Sequence, residues 1–153
     1  MNIDRFILPP DIDKAIATLQ VDNKPIYLVG GAIRDQLVNQ EIHDLDFVLV
    51  NKVKPVARKI ANLINGDFYM LDEERLTARV LWKTKKNKIF TLDFATQQGQ
   101  DIDADLRKRD FTINAMAIDI SNPRAIIDPL GGEKDLNNKV LRSCSETSLI
   151  DDS

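Results

Sequence analysis

The chain has 153 residues, 43% hydrophobic and 29% charged, which suits one globular domain burying roughly 68–70% of its unfolded surface without disulfide or metal support. A single cysteine, Cys144, excludes an intramolecular disulfide. The acidic start Met1-Asn2-Ile3-Asp4-Arg5 reads against a secretory leader and no apolar run is long enough for a bilayer, so a cytoplasmic location with no membrane partner is expected. The net charge of −3 does not announce a nucleic-acid partner, yet basic residues cluster at Lys83, Lys85, Lys86 and Lys88 and again at Arg107, Lys108 and Arg109.

In chain order, Asp11 reads as the N-cap of a helix that carries Ile12, Ala15, Ile16 and Leu19 on one stripe. Pro25 resets the chain, and Ile26-Tyr27-Leu28-Val29 reads as a short buried strand ended by Gly30-Gly31. Residues 32–38 read as a helix, and residues 45–50 are too short and too β-branched to be anything but a strand. Val53, Val56, Ala57, Ile60, Leu63 and Ile64 recur at helical spacing until Asn65-Gly66 stops them. Residues 76–83 and 88–95 form a hairpin around a Lys/Asn-rich turn, and residues 101–117 read as mostly helical. Residues 125–127 and 140–141 read as short strands flanking the turn Pro129-Leu130-Gly131-Gly132. This order predicts an α/β (α+β) fold, a small mixed sheet flanked by helices, and not an all-parallel doubly wound sheet.

The chemistry-bearing residues start with Asp44 and Asp46. A strand has a side-chain period of two, so both carboxylates share a face that Leu45 and Phe47 turn away from. Two like charges held together invite a cation, and hard oxygen ligands suit Mg²⁺. Asp93 occupies the polar face of a strand whose other face carries Phe90, Leu92 and Phe94; beside the first strand it completes a three-carboxylate group for phosphoryl or nucleotidyl transfer. Taken alone, each acid reads as a solvated turn or edge residue, because short motifs recur by chance. Gly30 and Gly31, between strand and helix, let backbone approach a phosphate, and Arg34 adds a planar charged fork; the plain alternative is a tight turn with an Arg34–Asp35 surface pair. In Arg107-Lys108-Arg109-Asp110-Phe111-Thr112-Ile113-Asn114, the arginines suit phosphates, and Asp110 and Asn114, four apart on one helical face, suit a ribose. His43 reads as solvent-facing, Trp82 and Tyr69 as either base-stacking or edge-packing aromatics, and the lysine cluster as a hairpin tip or an RNA-backbone contact.

Two segments together resemble the class II nucleotidyltransferase family of CCA-adding enzymes and bacterial poly(A) polymerases. They are Leu28-Val29-Gly30-Gly31-Ala32-Ile33-Arg34-Asp35 followed by Asp44-Leu45-Asp46, and Arg109-Asp110-Phe111-Thr112-Ile113-Asn114-Ala115-Met116-Ala117. The resemblance runs from about Lys24 to the C-terminus and implies a polymerase-β-like head. It implies that Asp44 and Asp46 ligate two Mg²⁺ ions, with Asp93 the acidic position of a following strand. Gly30, Gly31 and Arg34 then meet the triphosphate, Arg109, Asp110 and Asn114 meet phosphates and ribose, and Arg107 and Lys108 are candidate RNA contacts. The implied substrates are ATP, CTP or both, and the implied partner is an RNA 3′ end, tRNA foremost. The expected organisation is an N-terminal helical segment (1–23) packed on the head (24–142), then the start of a neck (143–153). Two departures stand out. The segment Gln97-Gln98-Gly99-Gln100 is short where many relatives carry an arginine and a longer loop, which counts against full CCA addition and leaves CC, A and poly(A) addition open. Asp151-Asp152 resemble the start of the neck's base-selecting motif, whose arginine does not follow before Ser153, so a shortened chain with weak activity and poor base discrimination is expected.

Overall fold

The computed structural model describes residues 6–19 and 24–145. Seven strands form one sheet: β1 Ile26–Val29, β2 Asp44–Leu49, β3 Asp67–Asp72, β4 Thr77–Lys83, β5 Ile89–Thr96, β6 Ala117–Asp119 and β7 Ile126–Ile127. Their order is β3-β4-β5-β2-β1-β6-β7, with β2 and β5 parallel and every other pair antiparallel. The expected mixed sheet is therefore present.

Alternation decides what each face carries. Leu28 of β1, Leu45, Phe47 and Leu49 of β2, Ala78 and Val80 of β4 and Leu92 and Phe94 of β5 all point into one core. Helices α1 (Pro10–Thr18), α2 (Gly31–Leu37) and α3 (Val53–Ile64) close that core through Ile12, Ile33, Val56, Ile60 and their neighbours. The opposite face is covered only in part. Helix α4 (Ile102–Arg107) places Ile102 and Leu106 against Val29, Val48, Ala115 and Ala117, which leaves β5, β4 and β3 without cover from the described residues on that side.

Several expectations change. Helix α1 begins at Pro10, with Pro9 at the cap position, because proline fits the first helical residue where no N–H bond is needed; Asp11 lies inside the first turn. Asn65 does end α3, in the left-handed region at φ 57°, but Leu63 of that helix faces solvent. Strand β3 was not anticipated. The stretch 101–117 is not one helix: α4 gives way to a 3-10 turn (Thr112–Asn114) and then to β6. Phe111 is extended at φ −119° and ψ 150°, and the Asp110 side chain accepts the Phe111 N–H, which ends any helical path there. Residues 140–141 form no strand, and the predicted turn at Gly131-Gly132 opens a short helix, α5 (Gly132–Asn137).

Phe47 and Phe94 stack across the parallel pair with ring centroids 5.2 Å apart, directly behind the acids of β2 and β5. Phe94→Ala is expected to cost about 3–5 kcal/mol of stability, read from urea unfolding.

Candidate active site

The parallel register pairs Asp44 with Thr91 and Asp46 with Asp93. Leu45 and Phe47 are buried while Asp44 and Asp46 are exposed, so both acids stand on the partly uncovered face, at the line where the cover of α4 ends. Asp46 keeps exposed surface but sits among enough protein to lose much of its hydration. That desolvation, then the charge of Asp93, raises its pKa; Arg109 and Arg79 act in the opposite sense, and Asp44 reinforces the rise.

Asp93 arrives beside Asp46, but both its oxygens are occupied. Arg79 of β4, directly opposite in the antiparallel register, donates from Nε to Oδ1 at 2.8 Å and from Nη2 to Oδ2 at 3.0 Å. Among the described residues no three His, Cys, Asp or Glu side chains converge to hold a metal by themselves. The donor set that fits Mg²⁺ is Asp44 with Asp46: hard oxygens whose mutual repulsion a cation relieves, with the remaining positions left for water and substrate phosphate. The expected three-carboxylate group is thus a pair plus an acid bound to an arginine.

On the β1 side, Gly30 takes φ +78°, a region that favours glycine, and a Cβ there would lie 3.8 Å from Asp46 Oδ2. Its N–H donates to the Met116 carbonyl at 3.1 Å, so what Gly30 offers a ligand is open space, not a donor. Arg34 folds back over Gly31, donates from Nε to Asp35 at 3.0 Å and from Nη1 to Asn114 Oδ1 at 2.7 Å. The surface pair with Asp35 and the link to Asn114 therefore coexist. Asn114 also reaches Asp110 at 3.5 Å, in a 3-10 turn and not on an α-helical face. Arg109 donates from Nε and Nη2 to Asp105 Oδ1 at 3.2 and 2.9 Å, and Asp105 Oδ2 accepts the Gln98 N–H at 2.7 Å. Gly30, Arg34, Arg109, Asp110 and Asn114 are thus gathered beside the carboxylates. Arg107, paired with Asp103, and Lys108 are exposed on the outer end of α4.

Sequence reasoning missed Arg79, Asp105 and a third group, Asp135. Asp135 is buried, accepts the Thr112 hydroxyl at 2.7 Å and Arg142 Nε at 3.0 Å, while the Thr112 N–H donates to the Arg142 carbonyl at 2.9 Å. A Cβ on Gly132 would collide with the Thr112 carbonyl, so α5 packs directly under the turn that carries Asn114. Only Asp105 left a signal, four residues before Arg109 in a stretch whose spacing reads as helical, although α4 itself ends at Arg107. Trp82 is buried against Phe90, whereas Tyr69 is 49% exposed; His43 faces solvent and meets Glu41 at 3.4 Å. A cavity of about 410 Å³ lies between α1 and the far ends of β1 and β6, lined by Ile16, Leu19 and Ile26, away from the carboxylates.

Two stability changes follow. The folded pKa of Asp46 is raised, so its charge destabilises the metal-free fold above that pKa and the penalty fades as acid protonates it. Asp46→Asn should therefore melt higher than wild type at neutral pH, with the gap closing in acid. Asp135 runs the other way: the Thr112 hydrogen bond and then Arg142 lower its pKa, so its contribution is present above the ordinary carboxylate range and lost as pH falls through the depressed value. Asp135→Asn should lose about 1–3 kcal/mol at neutral pH and converge with wild type in acid.

Residues 26–142 match the family of the poly(A) polymerase head domain. A CC-adding tRNA nucleotidyltransferase of Geobacter sulfurreducens is 41% identical over 126 residues, which cover 82% of this chain and 28% of the relative. An A-adding tRNA nucleotidyltransferase of Deinococcus radiodurans is 38% identical over 122 residues, covering 80% of this chain and 26% of the relative. A crystal structure of a tRNA nucleotidyltransferase complexed with a primer tRNA and an incoming ATP analogue superposes with a TM-score of 0.74 at 31% identity, over 92% of this chain and 40% of that one. The chain thus spans under a third of the length of these two curated relatives. In sequence and in fold, the chain belongs to the poly(A) polymerase head-domain family.

Proposed function

We propose that the chain is the catalytic head of a template-independent RNA nucleotidyltransferase that adds CMP, AMP or both to an RNA 3′ end, with tRNA the foremost acceptor. The observation that carries this is the Asp44–Asp46 pair exposed on one sheet face, with Arg34 and Arg109 fixed on the β1 side of it. The tRNA nucleotidyltransferase names of the relatives support the substrate class. On this reading residues 24–142 are the transferase unit, residues 1–23 add a helical segment to its core, and the chain from 143 leads toward a neck. The Asp151-Asp152 resemblance lies outside the described residues. Among the described residues no helix is long and apolar enough to cross a membrane, and a cytoplasmic site of action belongs to the same reading.

Asp44 and Asp46 would hold Mg²⁺, which when bound supplies Lewis acidity and charge neutralisation at phosphoryl oxygens. The protein's own groups bind and orient. Gly30 leaves room beside Asp46, Arg34 and Arg109 take the triphosphate, and Asn114 and Asp110 take the ribose. Arg107 and Lys108, at the outer end of α4, are placed for RNA phosphates. The 3′ oxygen of the RNA bonds to the α-phosphorus, the bond to the β-phosphate bridging oxygen breaks, the hydroxyl proton passes to water and pyrophosphate departs. The short 97–100 segment leaves the choice among CMP and AMP addition to a product assay.

Thermal unfolding with each of the four nucleoside triphosphates, with and without Mg²⁺, tests the reading. Ligand at about 100 times its Kd adds about 2.7 kcal/mol. A Mg²⁺-dependent shift of similar size for all four, absent in Asp44→Ala/Asp46→Ala, is expected. No shift with any of them would sink the proposal that this head binds nucleotide by itself.

A further inference from the structure

The sheet face on the other side of the carboxylates has no assigned role, and it has a definite composition. One row of directly opposed residues crosses it: Asp46 of β2, Asp93 of β5, Arg79 of β4 and Tyr69 of β3. Residues opposed in neighbouring strands share a face, so all four side chains stand on the face that α4 leaves uncovered. The other face of β3 is occupied, with Phe68 under the Arg58 guanidinium at 4.9 Å and Met70 against the core. Tyr69 and Leu71 are each 49% exposed and stand on an edge strand, an arrangement that invites unwanted pairing unless something covers it. The Arg79 side chain is 40% exposed; two of its nitrogens hold Asp93, and Nη1 donates to no protein atom among the described residues.

Taking the proposed transferase reading as the base, we infer that Arg79 and Tyr69 form the track for the single-stranded 3′ end of the RNA acceptor. In-line displacement puts the attacking oxygen opposite the departing pyrophosphate. Arg34 and Arg109 hold the triphosphate on the β1 side, so the acceptor enters over β5, β4 and β3. Three strand spacings separate Asp46 from Tyr69, about 14 Å. With the 3′ oxygen at Asp46, Arg79 meets a backbone phosphate through its remaining nitrogen, Nη1, and a base just behind the 3′ end stacks on Tyr69. Asp93 is then a positioning residue: its bidentate grip aims Arg79. Asp67, exposed one row away and in line with Leu81, Thr91 and Asp44, bounds the track with negative charge.

The probe is a short 5′-labelled single-stranded RNA with a free 3′ hydroxyl, followed by fluorescence anisotropy on the whole chain across a salt series. Tyr69→Ala is expected to weaken binding roughly 5- to 100-fold and Tyr69→Phe to restore it. Arg79→Gln should weaken binding and flatten the salt dependence by about one phosphate. The nucleotide-induced thermal shift serves as a separate readout and stays at its wild-type value in Tyr69→Ala; its absence in wild type counts against the transferase reading, not against this track. Wild-type RNA affinity in Tyr69→Ala, equal binding of a blunt RNA duplex, or no RNA binding by wild type each overturns the track. Concentration-dependent dimers that Tyr69→Ala abolishes, with RNA affinity unchanged, would assign the edge to pairing between two copies instead.

Discussion

The site depends on one pairing, the parallel contact of β2 with β5. Every other pair in the sheet is antiparallel, and the chain between these two strands passes through α3 and the β3–β4 hairpin before returning. That register places Asp46 beside Asp93 and, through β4, Arg79 beside Asp93. Because strands have period two, the same register stacks Phe47 on Phe94 behind the acids. A slip of one residue would turn the aromatic pair outward and the carboxylates into the core. Burial of the apolar face therefore fixes where the charges stand, and the energy that holds the site together lies on the side that does no chemistry.

The rest of the site is built from irregular backbone, and irregular backbone must find its own hydrogen bonds. Between α4 and β6 it does so through acids. Asp105 holds Arg109 and the Gln98 N–H, Asp110 accepts the Phe111 N–H, and Asp135 holds Thr112 and Arg142. The Gly30 N–H to the Met116 carbonyl then ties this segment to the β1–α2 turn. Asn114 and Arg34, eighty residues apart, meet as a consequence. Carboxylates, two of them buried (Asp105 and Asp135), serve here as local substitutes for a ladder or a helix.

What was legible in the sequence follows from how local each signal is. The face shared by Asp44 and Asp46, the apolar face behind Asp93, the end of α3 at Asn65-Gly66 and the hairpin of β4 and β5 all rest on neighbouring residues, and all are present. Strand β3 had a readable alternation, Phe68 and Met70 inward against Tyr69 and Leu71 outward, but with acids at both ends it receives no assignment from sequence. The helical reading of 101–117 failed because apolar spacing cannot show that Asp110 would bond its neighbour's N–H in place of continuing the helix. Arg79 was invisible for a deeper reason. Its meaning lies in a cross-strand register, and nothing near it in the chain marks it as the partner of Asp93. Asp135 is hidden in the same way, twenty-three residues from the hydroxyl it accepts.

The charges around Asp46 suggest how the two halves of such a face communicate. Arg109 on one side and Arg79 on the other both offset its unfavourable ionisation, while Asp93 and Asp44 add to it. On the proposed reading, an anionic substrate group that engages either arginine draws positive potential away from Asp46. The carboxylate pair is then less compensated and attracts a cation more strongly. By linkage the converse holds: a cation seated on Asp44 and Asp46 takes over part of the compensation that the two arginines supply to Asp46. Their positive potential is then left for phosphate, while Asp93 and Asp105 keep them in place. Cation, nucleotide and acceptor therefore need not contact one another to bind cooperatively, because each relieves an electrostatic cost the others leave behind. A face whose ligands each lift a cost that the others leave behind attracts the complete set more strongly than any one of them. That is the behaviour expected of a site that should react only when nucleotide, metal and RNA end are all in place.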